Sequence, residues 1–268
     1  MTAMIAVSGA TGRLGRRVAA RLDRPQRLLV RDPARAPQVP GAEVARAEYA
    51  DFAAVRAALE GSTTALMVSA SETPDRVDRH RTFVDAAAAA GVRHLVYTSF
   101  VGAAPDATFT LARDHWATEE HIRASGLGFT FLRDNLYADF VPLMVGEDGV
   151  IRGPGGEGRA AVVAQDDIAD AIVAVLRDPA AHAGRTYDLT GPQALTFAEM
   201  AATVGARFHD ETLEEAYASR ARYGAPGWQV DAWVSTYTAV AAGEMSTVDP
   251  AIEQLTGRPA RTLAEVVG

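Results

Sequence analysis

Two residue types are missing from this chain of 268 residues, and each absence restricts its chemistry. The chain has no cysteine, which excludes disulfides, thiolate nucleophiles, cysteine-ligated metals and iron–sulfur clusters. It also has no lysine, so all 26 basic residues are arginine. A phosphate-binding Walker lysine, a Schiff-base lysine and any lysine acid–base group are therefore excluded as well.

Long apolar runs and clustered positive charge are also lacking. No apolar stretch approaches the ~18 residues of a membrane span. The net charge of −8 argues against nucleic-acid or anionic-membrane partners, which require clustered positive charge. The six histidines have no metal-ligand spacing, so we expect no metal. Residues 1–7 lead into an apolar run without the features of a secretory signal, which predicts a cytoplasmic protein.

Strand-like and helix-like segments alternate through the first half of the chain. Short apolar runs predict strands at 4–8, 27–30, 43–46, 64–68, 94–98 and 129–133, with helical patterns between them. This alternation predicts an α/β fold of the Rossmann type, with a doubly wound parallel sheet.

The rhythm changes after about residue 136. A short strand is predicted at 161–164, a helix at 167–176, and a helix at 197–204 that Thr196 and Glu199 would cap. We expect a nucleotide-binding core at residues 1–135 and a small, mostly helical substrate lobe at 136–268. Some elements of the lobe would return to the main sheet, giving one compact unit.

A glycine-rich turn follows the first strand and opens the first helix. Glycines in this pattern let the backbone approach a pyrophosphate, and the helix N-terminus supplies free N–H groups. An ordinary glycine turn is the simpler alternative, but the strand before it and the helix after it favour dinucleotide binding. The residues assigned to this loop are Gly9, Thr11, Gly12, Arg13, Leu14 and Gly15.

The end of the second strand bears on cofactor choice. Arg31 comes first off that strand, and Arg13 lies in the glycine loop. Guanidinium groups suit the 2′-phosphate of NADP(H), because arginine binds phosphate bidentately. Asp32 is the competing signal, since an acid at this point binds the ribose hydroxyls of NAD(H). NADP(H) is favoured and NAD(H) stays open.

The helix that carries Tyr-x-x-x-Lys in the commonest reductases of this fold has no lysine here. Its sequence places His115 and Glu119 four residues apart, on one helix face. If that face points at the substrate, His115 would hold or protonate a substrate oxygen; a surface His–Glu pair is the alternative. Ser99, at the end of the fifth strand, would meet nicotinamide or substrate, or simply bond to backbone.

Several of these segments together resemble one family. The segments at 9–15, 30–35, 96–99, 115–119, 132–137, 187–192 and 255–259 are similar to those of the NmrA-like atypical short-chain dehydrogenases, and within them to bacterial NAD(P)H:quinone reductases. The resemblance extends over essentially the whole chain. It implies that Arg31 reads the 2′-phosphate. It also implies that Ser69, Ala70 and Ser71 pass beside the cofactor, with Tyr97, Thr98, Ser99 and Asn135 near the nicotinamide. The family's usual Arg-Asn turn here reads Arg133-Asp134-Asn135.

The acceptor site is predicted to be flat and apolar. A quinone accepts hydride directly, so the protein mainly has to stack it against the nicotinamide. Aromatic and apolar residues follow the fifth and sixth strands and recur in the second half; packing in the lobe core is their alternative role. The residues assigned to substrate are Phe100, Val101, His115, Asn135, Tyr137, Phe140, Trp228 and Trp233.

The sequence thus predicts an NAD(P)H-dependent oxidoreductase that passes hydride to a quinone or quinone-like aromatic. His115, Ser99 and Asn135 are its candidate catalytic residues. Two alternatives stay open: a tailoring enzyme for a polycyclic quinone, and a dinucleotide-sensing regulator without catalysis. Assembly as a homodimer also stays open.

Overall fold

The computed structural model describes residues 4–268, and the first three residues of the predicted N-terminal run lie outside them. The chain divides into two compact units, each made of several sequence segments. Unit 1 comprises Met1–Ser99 (described from residue 4), His115–Arg133 and Ile168–Tyr187. Unit 2 comprises Phe100–Asp114, Asp134–Asp167 and Asp188–Gly268.

The strands, in chain order, are β1 (Met4–Ser8), β2 (Gln26–Val30), β3 (Glu43–Arg46), β4 (Ser62–Met67), β5 (His94–Phe100), β6 (Gly128–Asp134), β7 (Val150–Gly153), β8 (Arg159–Ala160), β9 (Arg185–Leu189), β10 (Leu195–Thr196) and β11 (Arg207–Asp210). Seven of them form one sheet in the order β3-β2-β1-β4-β5-β6-β9. The pairs β1–β2, β2–β3, β1–β4 and β4–β5 are parallel. The predicted Rossmann-type sheet is confirmed.

Helices connect and flank these strands. They are α1 (Arg13–Arg21), α2 (Phe52–Leu59), α3 (Arg76–Ala89), α4 (Thr110–Ala124), α5 (Gln165–Arg177), α6 (Phe197–Thr203), α7 (Leu213–Ala221), α8 (Gly227–Ala241), α9 (Ala251–Thr256) and α10 (Leu263–Val267). Short 3-10 turns occur at Pro33–Arg35, Ala138–Met144 and Pro179–His182. No helix within residues 4–268 is both long enough and apolar enough to span a membrane.

The core of unit 1 follows from its apolar patterning. Strands β1, β4 and β5 are buried along almost their whole length, as expected for a parallel sheet covered on both faces. Helix α1 buries Leu14, Val18 and Ala19 on one face and leaves arginines on the other. Phe83, Tyr97 and Phe131 are the largest side chains packed in this core.

Unit 2 is built around two small sheets and the helices α6 to α10. Strand β11 pairs with β7 in parallel, and β10 pairs with β8 antiparallel. The capping box predicted at Thr196 and Glu199 is confirmed: Thr196 Oγ1 accepts from the Glu199 N–H, and the Glu199 carboxylate accepts from the Thr196 N–H. It fixes the start of α6.

Two predicted boundaries were wrong. The strand expected at 161–164 is not a strand, because its backbone groups bond to separate segments: Ala161 N–H donates to Met245 O and Val163 N–H donates to Leu136 O. The strand lies two residues earlier, as β8. The helical pattern between the strands predicted at 94–98 and 129–133 predicts a helix over 113–124. In the structure this helix begins one turn earlier, as α4, where the backbone N–H of Thr110 donates to the Ser235 hydroxyl.

Candidate cofactor and acceptor sites

The glycine loop of unit 1 forms a tight turn between β1 and α1. Gly9 has a φ of +63°, a conformation that favours glycine, and its carbonyl accepts from the Gly12 N–H at 2.8 Å. A Cβ on Gly15 would lie 2.3 Å from Gly9 O, so the helix can pack on the turn only without a side chain there. Gly12 and Arg13 are exposed at the helix start. The backbone thus fits the pyrophosphate of a dinucleotide.

Hydrogen bonds among Ser8, Tyr49 and Val68 support this turn. The Tyr49 hydroxyl contacts the Ser8 hydroxyl and donates to Val68 O at 2.7 Å, and the Val68 N–H donates to Ser8 Oγ at 3.0 Å. Val68 Cβ in turn lies 3.1 Å from where a Cβ on Gly9 would be. Val68, directly after β4, therefore fixes the position of the glycine turn. The sequence did not reveal this constraint.

The competition between Arg31 and Asp32 has a local structural answer. Asp32 caps the turn Pro33–Arg35 by accepting from the Ala34 N–H at 3.0 Å. One oxygen of its carboxylate is therefore engaged by its own turn, and Arg31 is exposed beside it at the end of β2. An exposed guanidinium at this position fits a 2′-phosphate.

The segment 69–71 is fixed by buried side chains behind it. The Ser69 N–H donates to Thr98 Oγ1 at 2.8 Å, and the Ala70 N–H donates to His80 Nε2 at 2.9 Å. Arg76 Nε donates to Ala70 O at 2.9 Å. Since His80 Nε2 accepts, Nδ1 carries the proton and donates to Thr118 Oγ1. Burial, together with the charge of Arg76, lowers the pKa of His80 to about 3. The imidazole is therefore neutral and holds the backbone of this segment.

His115 belongs to the same buried network. Arginine is always a donor, so Arg76 Nη2 donates to His115 Nε2 at 3.0 Å, and His115 Nδ1 then donates to the Tyr97 hydroxyl at 2.9 Å. Burial, and then the charges of Arg76, His80 and Arg133, lower the pKa of His115 well below its ordinary value. The ring is neutral with both nitrogens engaged. This geometry favours holding Arg76 over protonating a substrate; a direct catalytic role for His115 stays a prediction.

Ser99 donates to Glu119 rather than standing alone at its strand end. Ser99 Oγ donates to Glu119 Oε1 at 2.6 Å. Arg133 approaches the same carboxylate with Nε at 2.9 Å and Nη2 at 2.8 Å, a bidentate pair. Glu119 is completely buried, so its charge is balanced by Arg133 and the more exposed Arg123. His115 and Glu119 share a helix face as predicted, but they bind different partners.

Asn135 bonds to backbone at both ends of its amide. Its Nδ2 donates to Met245 O at 3.0 Å, and its Oδ1 accepts from the Leu136 N–H at 2.7 Å. The side chain is 1% exposed. It therefore fixes the segment after β6 within unit 2, and its predicted contact with substrate stays a prediction.

Unit 2 contains a pocket of about 1530 Å³. Of the residues assigned to substrate, Tyr137, Phe140 and Trp233 line it. Phe100 and Val101 pack in the unit 2 core, and Trp228 is half-buried at the first turn of α8 without lining the pocket. Sequence reasoning missed other lining residues: Met144, Val162, Phe197, Met200, Arg220 and Tyr223.

Two glycines allow aromatic rings to form part of this pocket. A Cβ on Gly153 would lie 2.2 Å from the Tyr237 ring, and one on Gly155 would lie 2.4 Å from the Phe197 ring. These two rings pack against each other with centroids 4.7 Å apart. Glycine at 153 and 155 therefore leaves the space that these two rings occupy beside the backbone.

A buried ion pair between Arg220 and Glu211 lies in the wall of this pocket. Arg220, 8% exposed, donates to Glu211 Oε2 at 2.8 Å and to Arg152 O at 3.1 Å. Its guanidinium lies 5.2 Å from the centre of the Tyr237 ring. Because Glu211 neutralises Arg220, this wall suits a neutral conjugated ligand more than a free anion.

Asp134 is a buried acid that sequence reasoning did not select. It is 2% exposed at the end of β6, and the Tyr137 hydroxyl donates to its Oδ2 at 2.8 Å. Its Oδ1 has no hydrogen-bond partner among the described residues. Burial raises the pKa of Asp134 to about 8, although the Tyr137 hydrogen bond opposes the rise. The side chain therefore holds a proton at neutral pH.

Comparison with known proteins agrees with this geometry. A family model described as NAD(P)H-binding matches residues 9–179, and the chain belongs to that family. It is 33% identical to quinone oxidoreductase 2 of Escherichia coli (strain K12), over 98% of this chain and 97% of that protein. It is 32% identical to the NAD(P)H azoreductase of Xenophilus azovorans, over 98% of this chain and 96% of that protein.

A solved structure matches at the level of the whole fold. The crystal structure of an NADPH-dependent quinone oxidoreductase from Escherichia coli, complexed with NADPH, superposes with a TM-score of 0.90. The two are 32% identical, and the match covers 98% of each chain.

Within residues 4–268, no group of three or more His, Asp or Glu side chains is arranged to hold a metal ion.

Proposed function

We propose that this protein is an NADPH-dependent oxidoreductase that reduces a quinone or a quinone-like aromatic acceptor. The observation that carries this function is the pocket of unit 2, whose walls include Tyr137, Phe140 and Trp233. Aromatic walls of this kind bind a flat conjugated ring by stacking and by burial of apolar area. The relatives named for quinone and azo reduction support the same class of acceptor, since both groups are conjugated and accept a hydride directly.

The residues of unit 1 fit the cofactor that this function needs. The loop from Gly9 to Gly15 would hold the pyrophosphate, Arg31 the 2′-phosphate, and segment 69–71 the nicotinamide half. When bound, NADPH supplies the hydride. The chain's own part is to fix the loops: His80, Arg76 and Thr98 hold segment 69–71 in one conformation. Preorganisation of this kind lowers the cost of aligning cofactor and acceptor.

The proposed reaction asks little acid–base chemistry of the neutral histidines. A quinone becomes aromatic as it accepts the hydride, so the transfer itself needs no strong acid. The neutral rings of His80 and His115 agree with such a mechanism, because neither is the imidazolium that would act as an acid at neutral pH. They position backbone and Arg76 instead.

Steady-state oxidation of NADPH with a panel of quinones tests this function. The wild-type protein should turn over at least one quinone, and Trp233→Ala should raise KM while kcat changes less. Trp116→Ala is the matched control, because Trp116 is a half-buried tryptophan of α4 that does not line the pocket. Binding of NADPH and NADP⁺ with equal affinity, and no turnover of any quinone, would instead identify a dinucleotide sensor.

The cellular setting and assembly are part of the proposal. The lack of cysteine and the charge of −8 support a cytoplasmic protein without a nucleic-acid partner. A homodimer is compatible with this function. Sedimentation of the purified protein in an analytical ultracentrifuge would measure whether it is a monomer or a dimer.

A further inference from the structure

The carboxyl group of Asp134 is buried, and the hydrogen bonds around it do not account for its burial. This residue follows Arg133 directly, yet Arg133 serves Glu119 in unit 1 while Asp134 is the first residue of this segment of unit 2. Its backbone carbonyl accepts from the Val101 N–H, which fixes the main chain at this point. The carboxyl has one partner, Tyr137, and its Oδ1 has none among the described residues. A buried polar atom without a partner is destabilising, so a functional reason is expected.

Tyr137 connects this acid to the pocket. Its ring lines the pocket, and its hydroxyl reaches Asp134 Oδ2 at 2.8 Å. The backbone around it is fixed, because Val163 N–H donates to Leu136 O and the Ala138 N–H donates to Val163 O, both at 2.9 Å. Phe140 packs edge-on against the tyrosine ring at 5.3 Å. The phenol is thus held with its ring at the pocket wall and its oxygen on the acid.

The other titratable groups of the pocket lack such a buried proton source. Arg220 keeps its proton and is bound to Glu211. Tyr223 is 60% exposed, and its hydroxyl accepts from Arg222. His209 is exposed and Tyr237 also lines the pocket, so both are alternative proton donors that need testing. Only burial and the Tyr137 hydrogen bond contribute to the pKa of Asp134, so no charged neighbour within the described chain sets its protonation.

We propose that Tyr137 gives the proton that the reduced acceptor takes up, and that Asp134 restores the proton on Tyr137. This inference rests on the proposed function. A quinone that has gained a hydride is a hydroquinone monoanion, with one oxygen still without a proton. The Tyr137 O–H bond breaks as a new O–H bond forms on that oxygen. For this step the hydrogen bond between the two residues reverses, so that the Asp134 carboxyl carries its proton on Oδ2 and gives it to the tyrosine oxygen. A proton from water then restores the Asp134 carboxyl and leaves hydroxide in the solvent.

Two acceptors separate proton delivery from hydride transfer. An alkyl-substituted benzoquinone gives a basic anion that must be protonated, whereas tetrachlorobenzoquinone gives an acidic product that leaves as an anion. Tyr137→Phe should lower kcat for the alkyl quinone by about 10²-fold, the low end for a general acid, and for the chlorinated quinone by less than about tenfold. Asp134→Asn keeps the size of the side chain and should show the same selectivity. Kd for NADPH should stay unchanged in both variants.

The chain offers a matched control pair. The Tyr217 hydroxyl donates to Asp231 Oδ1 at 2.9 Å, but this pair is exposed and neither residue lines the pocket. Tyr217→Phe and Asp231→Asn should leave both acceptors unaffected. His209→Gln and Tyr237→Phe should also lack the selectivity; if one of them shows it and Tyr137→Phe does not, that residue is the donor and the inference is overturned. Equal losses for both acceptors, or no loss, in Tyr137→Phe overturn it too.

A readout without cofactor keeps the inference testable if a variant folds poorly. Wild-type protein at pH 7 should show the infrared carbonyl band of a buried protonated carboxyl group, and Asp134→Asn should lack that band. An ionised Asp134 at pH 7 would overturn the proton-source role. Failure of the proposed function is a different result, because the wild-type protein would then reduce neither quinone.

Discussion

The protonated state of Asp134 leads to a stability prediction that does not depend on function. The perturbation is Asp134→Asn, which removes the titration but keeps the shape and an acceptor for the Tyr137 hydroxyl. The pKa of Asp134 rises from an ordinary value of 3.8 to about 8 in the folded protein. Between these two values the folded state holds a proton that the unfolded chain has released. The contribution of Asp134 to the free energy of unfolding must therefore fall as pH rises through this window.

The magnitude follows from the size of the shift. A rise of about 4 units at 1.36 kcal/mol per unit corresponds to roughly 5–6 kcal/mol, an upper bound because local relaxation relieves part of it. Within the window, the slope for this one group approaches about −1.4 kcal/mol per pH unit. That is large against a typical stability of about 5–15 kcal/mol. Below pH 3.8 both states are protonated, so the contribution there no longer changes with pH.

Urea unfolding at a series of pH values from 5 to 8 measures this contribution. The difference in unfolding free energy between wild-type protein and Asp134→Asn should change steadily across the range, with the variant gaining relative stability as pH rises. Asp231→Asn is the control, since its carboxylate is exposed. Parallel curves for wild-type protein and Asp134→Asn would refute the reasoning, because they would mean that Asp134 is already ionised at pH 5.

Three further predictions concern unit 1. Arg31→Asp should weaken NADPH binding by about tenfold to a hundredfold, while NADH binding holds or improves, in fluorescence titrations; equal losses would exclude a 2′-phosphate contact. Gly12→Val should fold but fail to bind NADPH, whereas Gly15→Ala should lower the melting temperature, because its Cβ would lie 2.3 Å from Gly9 O. His115→Ala should change kcat for a quinone by less than about 10²-fold, as expected for a positioning residue, and complete loss of turnover with NADPH binding intact would make it an essential acid.

The features that sequence reasoning found are encoded within short segments. The glycine loop is one example, because a strand, a turn and a helix start follow one another within residues 4–21. The capping box at Thr196 is another, since its two hydrogen bonds join residues three apart. Arg31 was located by counting from the first glycine, since the second strand of such a fold ends at a nearly constant distance. The family resemblance was likewise based on short segments, and the comparison with known proteins confirms it.

The features that sequence reasoning missed depend on contacts between residues that are far apart in the chain. Arg76 and His115 are 39 positions apart and meet only because α3 and α4 cover the same part of unit 1. Their pairing turns a candidate acid into a neutral ring, and no local pattern contains that information. Gly153 ends β7, but the need for glycine there is set by Tyr237 of α8, whose ring would lie 2.2 Å from a Cβ at position 153. Burial of Asp134 is likewise invisible in the short motif around it.

The absence of lysine finally connects the two halves of the chemistry. In a Tyr-x-x-x-Lys reductase, a cation beside the tyrosine lowers its pKa and supports its role as an acid. Here Tyr137, at the pocket wall, has a protonated carboxyl beside it. This carboxyl supports the proton transfer by replacing the proton that the tyrosine gives up, whereas a cation would support it by lowering the pKa of the tyrosine. A neutral acid next to Tyr137 also leaves the apolar wall uncharged, which favours a neutral aromatic acceptor over an anionic one. Arg76 and the half-buried Arg133 meanwhile serve as fixed structural cations, because Arg76 holds Ala70 O and Arg133 is paired with Glu119.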